Sequence, residues 1–195
     1  MTTRFNRRAK QDGFTLVELL IVAIILAILA AIVVPQFASS TDDARDSSLR
    51  SNLAAVRGAI DLYAQQHTNN AFPGSTTSAT AGCPNGTGGV AADAAGTLSG
   101  LTNQLTRYTN AAGESCSIQD DPPGGVVEYP FGPYLKGDVF PNNPVSQTND
   151  VTFVAAGDLA MGGGDATAWR YDTTSGKFIA DQTGPDSNGV PYDTY

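Results

Sequence analysis

Residues 13–37 read GFTLVELLIVAIILAILAAIVVPQF, and this stretch decides the fold. From Phe14 to Val34 it holds 21 residues, of which only Glu18 is charged and only Thr15 is otherwise polar. A helix of that length measures about 31 Å, enough to cross a bilayer core of about 30 Å. The stretch therefore predicts a membrane-spanning helix.

Two other interpretations of this apolar run fit less well. A secretory signal peptide has an apolar region of about 7–15 residues and ends at a small-residue cleavage site. Here the run is longer and continues through Pro35 into a second helical pattern, which favours retention. A core helix of a soluble protein is disfavoured because uninterrupted apolar runs of this length usually span membranes.

The charges on either side of the run predict its orientation. Residues 1–13 carry four basic residues against one acidic residue, a balance of +3. The whole chain carries −8, so the remainder carries −11. Basic flanks stay in the cytoplasm, which predicts that the C-terminal body lies outside it. A body this acidic also repels nucleic acid.

Glu18 is the feature that a plain membrane anchor does not explain. A carboxylate within a spanning segment costs about 2.5–3.5 kcal/mol on insertion scales, so by default it is functional or paired. For an uncleaved anchor, a carboxylate four residues from Phe14 that simply reaches the interface remains an equal alternative.

The stretch from Gly13 to Leu20, GFTLVELL, followed by a long apolar helix, resembles the signature of type IV pilins and pseudopilins. The resemblance covers about residues 7–37. It implies that a prepilin peptidase cuts between Gly13 and Phe14 and methylates the new N-terminus at Phe14. It also implies that Glu18 pairs with the N-terminal amine of a neighbouring subunit, and that Pro35 bends the helix.

The fold class implied is α+β: a long bent N-terminal helix, membrane-spanning in its first half, packed on a small antiparallel C-terminal sheet. The expected division is a basic leader at 1–13, a transmembrane and assembly helix at 14–34, an amphipathic continuation at 35–67, and an exported pilin-like domain at 68–195.

The amphipathic continuation rests on apolar residues spaced 4, 3, 4 and 3 apart, which form one stripe of a helix. These are Leu49, Leu53, Val56, Ile60 and Tyr63. Asp42 and Asp43 are expected to be solvated charges on the helix surface. His67, the chain's one histidine, is expected at an exposed helix end.

After a cluster of helix-breaking residues at 69–74, residues 73–97 predict a long surface loop that carries Cys83. The spacing of Leu98, Leu101, Leu105 and Tyr108 predicts a short helix, and Cys116 follows it. In an exported domain Cys83 and Cys116 make one plausible disulfide. The alternative, two unpaired small residues, stays open.

The C-terminal half predicts strands. Residues 131–144 resemble the GPYL-type segment of major pseudopilins. Residues 151–154 predict a strand, and 168–171 with 177–180 predict a β-hairpin closed by the turn at 172–176. The tail at 182–195 is expected to be disordered.

The sequence offers no catalytic constellation, which predicts a protein that is not an enzyme. One histidine supports no nucleophile–base pair, and no zinc-ligand spacing occurs. The triple glycine at 162–164 lacks the Lys-Ser/Thr of a phosphate loop. Loop aspartates could hold calcium, as the resemblance to major pseudopilins suggests, but solvated acids are favoured and no cofactor is expected. These aspartates are Asp150, Asp158, Asp165, Asp172, Asp181, Asp186 and Asp193.

The resemblance implies a structural subunit of a type II secretion pseudopilus, with a type IV pilin for adhesion, motility or DNA uptake as the alternative. The implied partners are further copies of the chain, minor pseudopilins, the prepilin peptidase, an inner-membrane platform and a cytoplasmic assembly ATPase. Nucleic acid is expected only under the pilin alternative. The implied location is the bacterial inner membrane, single-pass, with the C-terminal domain in the periplasm.

Overall fold

The computed structural model describes residues 14–68, 71–76, 94–119, 127–154, 157, 162–164 and 167–195. Its backbone contacts divide the chain into two compact units, Met1–Thr41 and Asp42–Tyr195. The elements are α1 (Leu16–Gln66), α2 (Leu98–Thr106), β1 (Tyr108–Thr109), β2 (Ser115–Cys116), β3 (Val151–Val154), β4 (Trp169–Asp172), β5 (Phe178–Ala180) and a 3₁₀ helix (Tyr192–Thr194). The predicted α+β class, with one long N-terminal helix and small sheets, is confirmed.

The second half of α1 is the spine of the C-terminal unit. All five residues of the predicted apolar stripe are buried, with at most 1% of any of them exposed. They pack in one core with residues of α2, β4 and β5. Asp42 and Asp43 are exposed, as predicted. The helical period of the stripe therefore identified the face of α1 that docks on the domain.

The three-stranded sheet is mixed, with the order β3-β4-β5. Strand β4 pairs antiparallel with β5, which confirms the predicted hairpin. Strand β3 pairs parallel with β4, so the prediction of a wholly antiparallel sheet is wrong. Residues 155–168 join β3 to β4, and a connection of about a dozen residues is long enough for a parallel crossover.

The β4–β5 hairpin carries the largest side chains of the core. Trp169 lies 5.2 Å from Phe178 between ring centroids, and its indole N–H donates to the Pro141 carbonyl at 2.9 Å. The turn closes through Gly176, whose φ of +72° is open to glycine at little cost. A Cβ there would also collide with the ring of Phe72. The hairpin thus contributes large side chains to the core, and its turn contacts Phe72.

Helix α2 ends two residues earlier than its apolar spacing suggests. Both Tyr134 and Leu135 donate their backbone N–H groups to the Leu105 carbonyl, at 2.9 and 2.8 Å. Tyr108 belongs to β1 and pairs with Cys116 of β2, so its predicted place in the helix is wrong. Pairing with Cys116, eight residues further along the chain, therefore decided the structure at Tyr108, and the local helical spacing did not.

His67 is buried, with 5% of the residue exposed, so the prediction of an exposed helix end is wrong. Its ring stacks on Tyr63 with 3.6 Å between centroids. Its Nδ1 lies 2.7 Å from the Tyr63 carbonyl and its Nε2 lies 3.0 Å from the Thr109 hydroxyl. Burial lowers the pKa of His67, even though hydrogen bonds to backbone groups favour its charged form. Strand β1 covers the end of α1, which no local pattern foretells.

The C-terminal tail packs on α1, so the prediction of disorder at 182–195 is wrong. Arg50 lies 2.7 Å from a carboxylate oxygen of Asp186. The backbone N–H of Ser187 donates to Asp46 at 2.9 Å. The polar composition of the tail suggested disorder. The tail is held instead by charged residues of α1, which lie far from it in the sequence.

Candidate assembly segment

Helix α1 begins with a reciprocal pair of side-chain caps. The Thr15 hydroxyl accepts the backbone N–H of Glu18 at 3.2 Å. The Glu18 carboxylate accepts the backbone N–H of Thr15 at 2.8 Å and its hydroxyl at 2.7 Å. This is a capping box, which satisfies N–H groups that the first turn of a helix leaves unpaired. Glu18 is therefore held at the helix start by its own chain.

Thr15 is a functional residue for which the sequence alone predicted no role. The signal that could have found it is the pattern Thr-x-x-Glu directly before an apolar run, which is the sequence form of a capping box. The Glu18 carboxylate caps its own helix. Its pairing with a neighbour's amine stays a prediction.

The first part of α1 presents its apolar side chains on every side. Phe14 is 83% exposed and Phe37 is 69% exposed, and every other large apolar side chain between them is at least 41% exposed. By length and composition, α1 is the one helix in the described part of the chain that could cross a membrane. A surface this apolar is stable only when lipid or protein covers it.

Pro35 lies inside α1. A proline has no backbone N–H, so the carbonyl four residues earlier loses its helical partner, and helices bend at such points. In the next turn the Thr41 hydroxyl donates to the Phe37 carbonyl at 2.9 Å. Hydroxyls that bond back to the helix in this way also accompany bends.

The remaining predicted site residues fall differently. Gly13 and Cys83 lie outside the described residues. Cys116 is fully buried and disulfide-bonded. The cleavage site between Gly13 and Phe14 and the pairing of Cys83 with Cys116 stay predictions.

Three of the loop aspartates are buried, so the expectation of solvated acids is wrong for them: Asp172, Asp181 and Asp186. Asp172 accepts from Gly157 N–H at 3.1 Å and closes the hairpin turn through the Ser175 hydroxyl at 2.6 Å. Asp181 lies 3.1 Å from Arg170. Each carboxylate is thus occupied by groups of the protein itself.

Asp186 is the most strongly perturbed of these acids. The hydroxyl of Tyr195 donates to it, and the backbone N–H groups of Val190 and Asn188 donate at 2.7 and 2.8 Å. The Tyr195 bond and then these backbone bonds outweigh desolvation and lower the pKa of Asp186 to about 2. Its donors favour the ionised form, which is the form that Arg50 binds.

The loop aspartates that the structure describes do not form a metal-binding cluster. Within the residues that the structure describes, no group of three or more His, Cys, Asp or Glu side chains is placed to hold a metal ion. Asp158 and Asp165 lie outside those residues. The expectation that no cofactor binds and the calcium alternative both stay untested.

A cavity of about 640 Å³ lies beside the hairpin turn and is lined by Arg57, Asp61, Lys177 and Asp193 among others. Its lining includes no histidine, cysteine or serine. The chain's histidine is bonded to Tyr63 and Thr109 in the core. The lining of this cavity therefore holds no Ser-His or Cys-His pair.

Comparison with known proteins finds one family model and several relatives that cover part of this chain. Residues 8–34 match the family model described as the prokaryotic N-terminal methylation motif. The type II secretion system core protein G of Pseudomonas aeruginosa is 42% identical over 67 residues, 34% of this chain and 46% of that protein. The Vibrio cholerae core protein G is 36% identical over 68 residues, 35% of this chain and 45% of that protein.

A pilus protein is also similar to part of the chain. The type IV narrow pilus major component PilA5 of Thermus thermophilus is 48% identical over 59 residues, 30% of this chain and 49% of that protein. Each of these matches spans less than half of the relative's length. No solved structure matches the chain. The capped start of α1 and most of its exposed apolar surface therefore lie in the segment that matches the prokaryotic N-terminal methylation motif, in a chain that is similar over about a third of its length to type II secretion core protein G and to a type IV pilus component.

Proposed function

We propose that this chain is a structural subunit of a type II secretion pseudopilus. A prepilin peptidase cuts it between Gly13 and Phe14 and methylates the amine of Phe14. The mature chain sits in the inner membrane with its C-terminal domain in the periplasm. It polymerises with further copies and with minor pseudopilins, on a membrane platform driven by a cytoplasmic ATPase.

One observation carries the proposal: the apolar surface of α1 between Phe14 and Phe37 is exposed throughout. In the membrane, lipid covers that surface. In a filament, the same segment of neighbouring subunits covers it, so one surface serves both anchoring and assembly. Helices packed side by side in this way exclude water and bury the apolar area again.

Glu18 provides register for such packing. A carboxylate in an apolar bundle is costly when alone and favourable when it meets an opposite charge with good geometry. The amine of a neighbour's Phe14 is such a partner once the leader is removed. The capping box keeps the Glu18 carboxylate hydrogen-bonded until that partner arrives.

The alternative is a type IV pilin exposed on the cell surface. The 48% identity to a pilus component of Thermus thermophilus favours it. Because that match covers 30% of this chain and 49% of the relative, it supports the assembly chemistry more than the choice of filament. The matches to core protein G from several bacteria favour the pseudopilus.

Processing and assembly can be tested in the native host. Mass spectrometry of the mature chain should find a methylated N-terminal Phe14, and Gly13→Leu should leave the full leader in place. Glu18→Val should abolish filaments while the subunit still inserts, whereas Ile21→Val, an apolar control on the same helix, should assemble. An unprocessed chain that still forms filaments, or a Glu18→Val variant that assembles normally, would refute the mechanism.

The choice of filament needs a separate measurement. Deleting the chain should stop release of secreted proteins into the medium and leave long surface pili intact. Loss of surface pili with secretion unchanged would instead identify the pilin alternative.

A further inference from the structure

Residues 184–195, here called the strap, follow the hairpin and form a closed loop of their own. The backbone N–H of Tyr192 donates to the Gly184 carbonyl at 3.1 Å. Inside that ring, the N–H of Asp186 donates to the Val190 carbonyl at 2.8 Å. An isolated bridge between Pro185 and Pro191 joins its two arms. The strap therefore has internal bonds that do not depend on the sheet.

The strap is attached to α1 by polar groups at three helix positions. Asp46 accepts the Ser187 N–H at 2.9 Å and the Tyr192 hydroxyl at 2.7 Å. Asp46 is also the first described residue of α1 that is buried, so the strap lies where burial of the helix begins.

Arg50 and Arg57 complete the attachment. Arg50 lies 2.7 Å from Asp186 and donates to the Tyr195 hydroxyl at 2.8 Å, and its guanidinium lies 4.6 Å from the centre of the Tyr195 ring. Arg57 donates to the Tyr195 backbone oxygen and, at 2.9 Å, to the Phe178 carbonyl. Asp46, Arg50 and Arg57 are spaced 4 and 7 apart, which places them along one side of the helix.

The apolar stripe of α1 is covered mainly by other elements. The stripe packs in the core that contains residues of α2 and the hairpin, and the strap adds to that core only Tyr192 and Tyr195, both partly buried. Segments with few buried apolar contacts open locally at a lower free energy than the core that they cover. The side chain of Arg50 is half exposed, whereas that of Asp186 is fully buried.

We propose that the strap is a latch that opens as a unit while the sheet stays folded, and that it is fastened by Arg50 on Asp186 and by Asp46 on Ser187 and Tyr192. Opening uncovers the buried Asp46 carboxylate and releases the guanidinium groups of Arg50 and Arg57 from their partners in the strap. The strap therefore controls which charged groups on this side of α1 are free to bind a partner.

Amide hydrogen exchange of the full chain in detergent micelles, read by mass spectrometry, tests this latch. Arg50→Gln removes the cation from a buried carboxylate and should accelerate exchange at residues 186–192 by about tenfold, with β4 and β5 unchanged. Arg45→Gln is the matched control. It makes the same substitution on the same helix, but Arg45 pairs with the exposed Asp42 at 3.4 Å and should change nothing in the strap.

A second variant separates the latch from a general loss of stability. Tyr192→Phe removes the hydroxyl that donates to Asp46 and retains the ring, so it too should accelerate exchange in the strap alone. If either variant accelerates β4 and β5 as much as residues 186–192, the strap is part of the cooperative core. If neither variant changes exchange in the strap, the assigned bonds do not fasten it. Both results overturn the proposal.

Discussion

Replacing Leu53 with alanine should destabilise the C-terminal unit by about 2–5 kcal/mol, the usual cost of truncating a buried leucine. Leu53 is 1% exposed and lies in the middle of the α1 stripe, within the core that α2, β4 and β5 share. The substitution removes three carbon atoms, which accounts for about 2.4 kcal/mol at about 0.8 kcal/mol per buried methylene. The cavity left behind adds the rest, because a packed core relaxes only in part.

Thermal unfolding followed by circular dichroism of the full chain in detergent measures this loss. For a unit of this size, about 3 kcal/mol corresponds to a fall in Tm of about 6–12 °C. Leu62→Ala is the matched control, since Leu62 lies on the same helix and is 46% exposed. It should change the free energy of unfolding by less than about 0.5 kcal/mol. Equal losses for the two variants would mean that the stripe does not form the buried face of α1.

Four further predictions test the capping box, two buried titratable groups and the loop acids. Thr15→Ala should accelerate amide exchange in the first turn of α1, because losing an N-cap costs about 1 kcal/mol. Thr15→Ser keeps a hydroxyl and should not accelerate it. Equal exchange in the two variants would contradict the cap. The free energy of unfolding should fall as the pH drops below about 6.5, because the unfolded chain then protonates His67, which the fold keeps neutral. Denaturant titrations from pH 7 to 5 measure this dependence, and His67→Gln should flatten it. A second loss should follow between about pH 4 and 2, where the unfolded chain takes up a proton that Asp186, with its pKa of about 2, resists. Asp186→Asn should reduce that loss, and the lowered pKa values of Asp46 and Asp172 should account for the remainder. Adding calcium or a chelator should leave Tm unchanged because Asp172 and Asp181 already accept hydrogen bonds from the protein, and a rise in Tm with calcium would contradict this.

The features that were predicted correctly depend on residues that lie close together in the sequence. The apolar run after Phe14 is continuous and the stripe from Leu49 to Tyr63 is periodic, and both lie within one helix, so all their information lies within a few turns. The hairpin of β4 and β5 is also local, since its two strands are joined by one turn. Such patterns decide element type without any knowledge of distant residues.

The errors concern what lies beside each element. Strand β3 was recognised, but its parallel pairing with β4 depends on a crossover that alternation does not encode. His67 looked like a helix-end residue, but β1 covers it through Thr109, a residue 42 positions away. A capping pattern at Thr15 was readable from the sequence and was overlooked.

The N-terminal stretch from Gly13 to Phe37 needed only its own composition to specify a capped, apolar helix for a membrane or a filament. A run of this length without charged partners has few alternatives, because any exposed apolar surface must be covered. Only the tertiary structure decided the state of the C-terminal tail. Arg50 and Asp186 stand 136 positions apart, and each alone looks like an ordinary surface charge. Their pairing stabilises the tail only once the fold has brought them together, because a buried carboxylate is stable only with its donors in place.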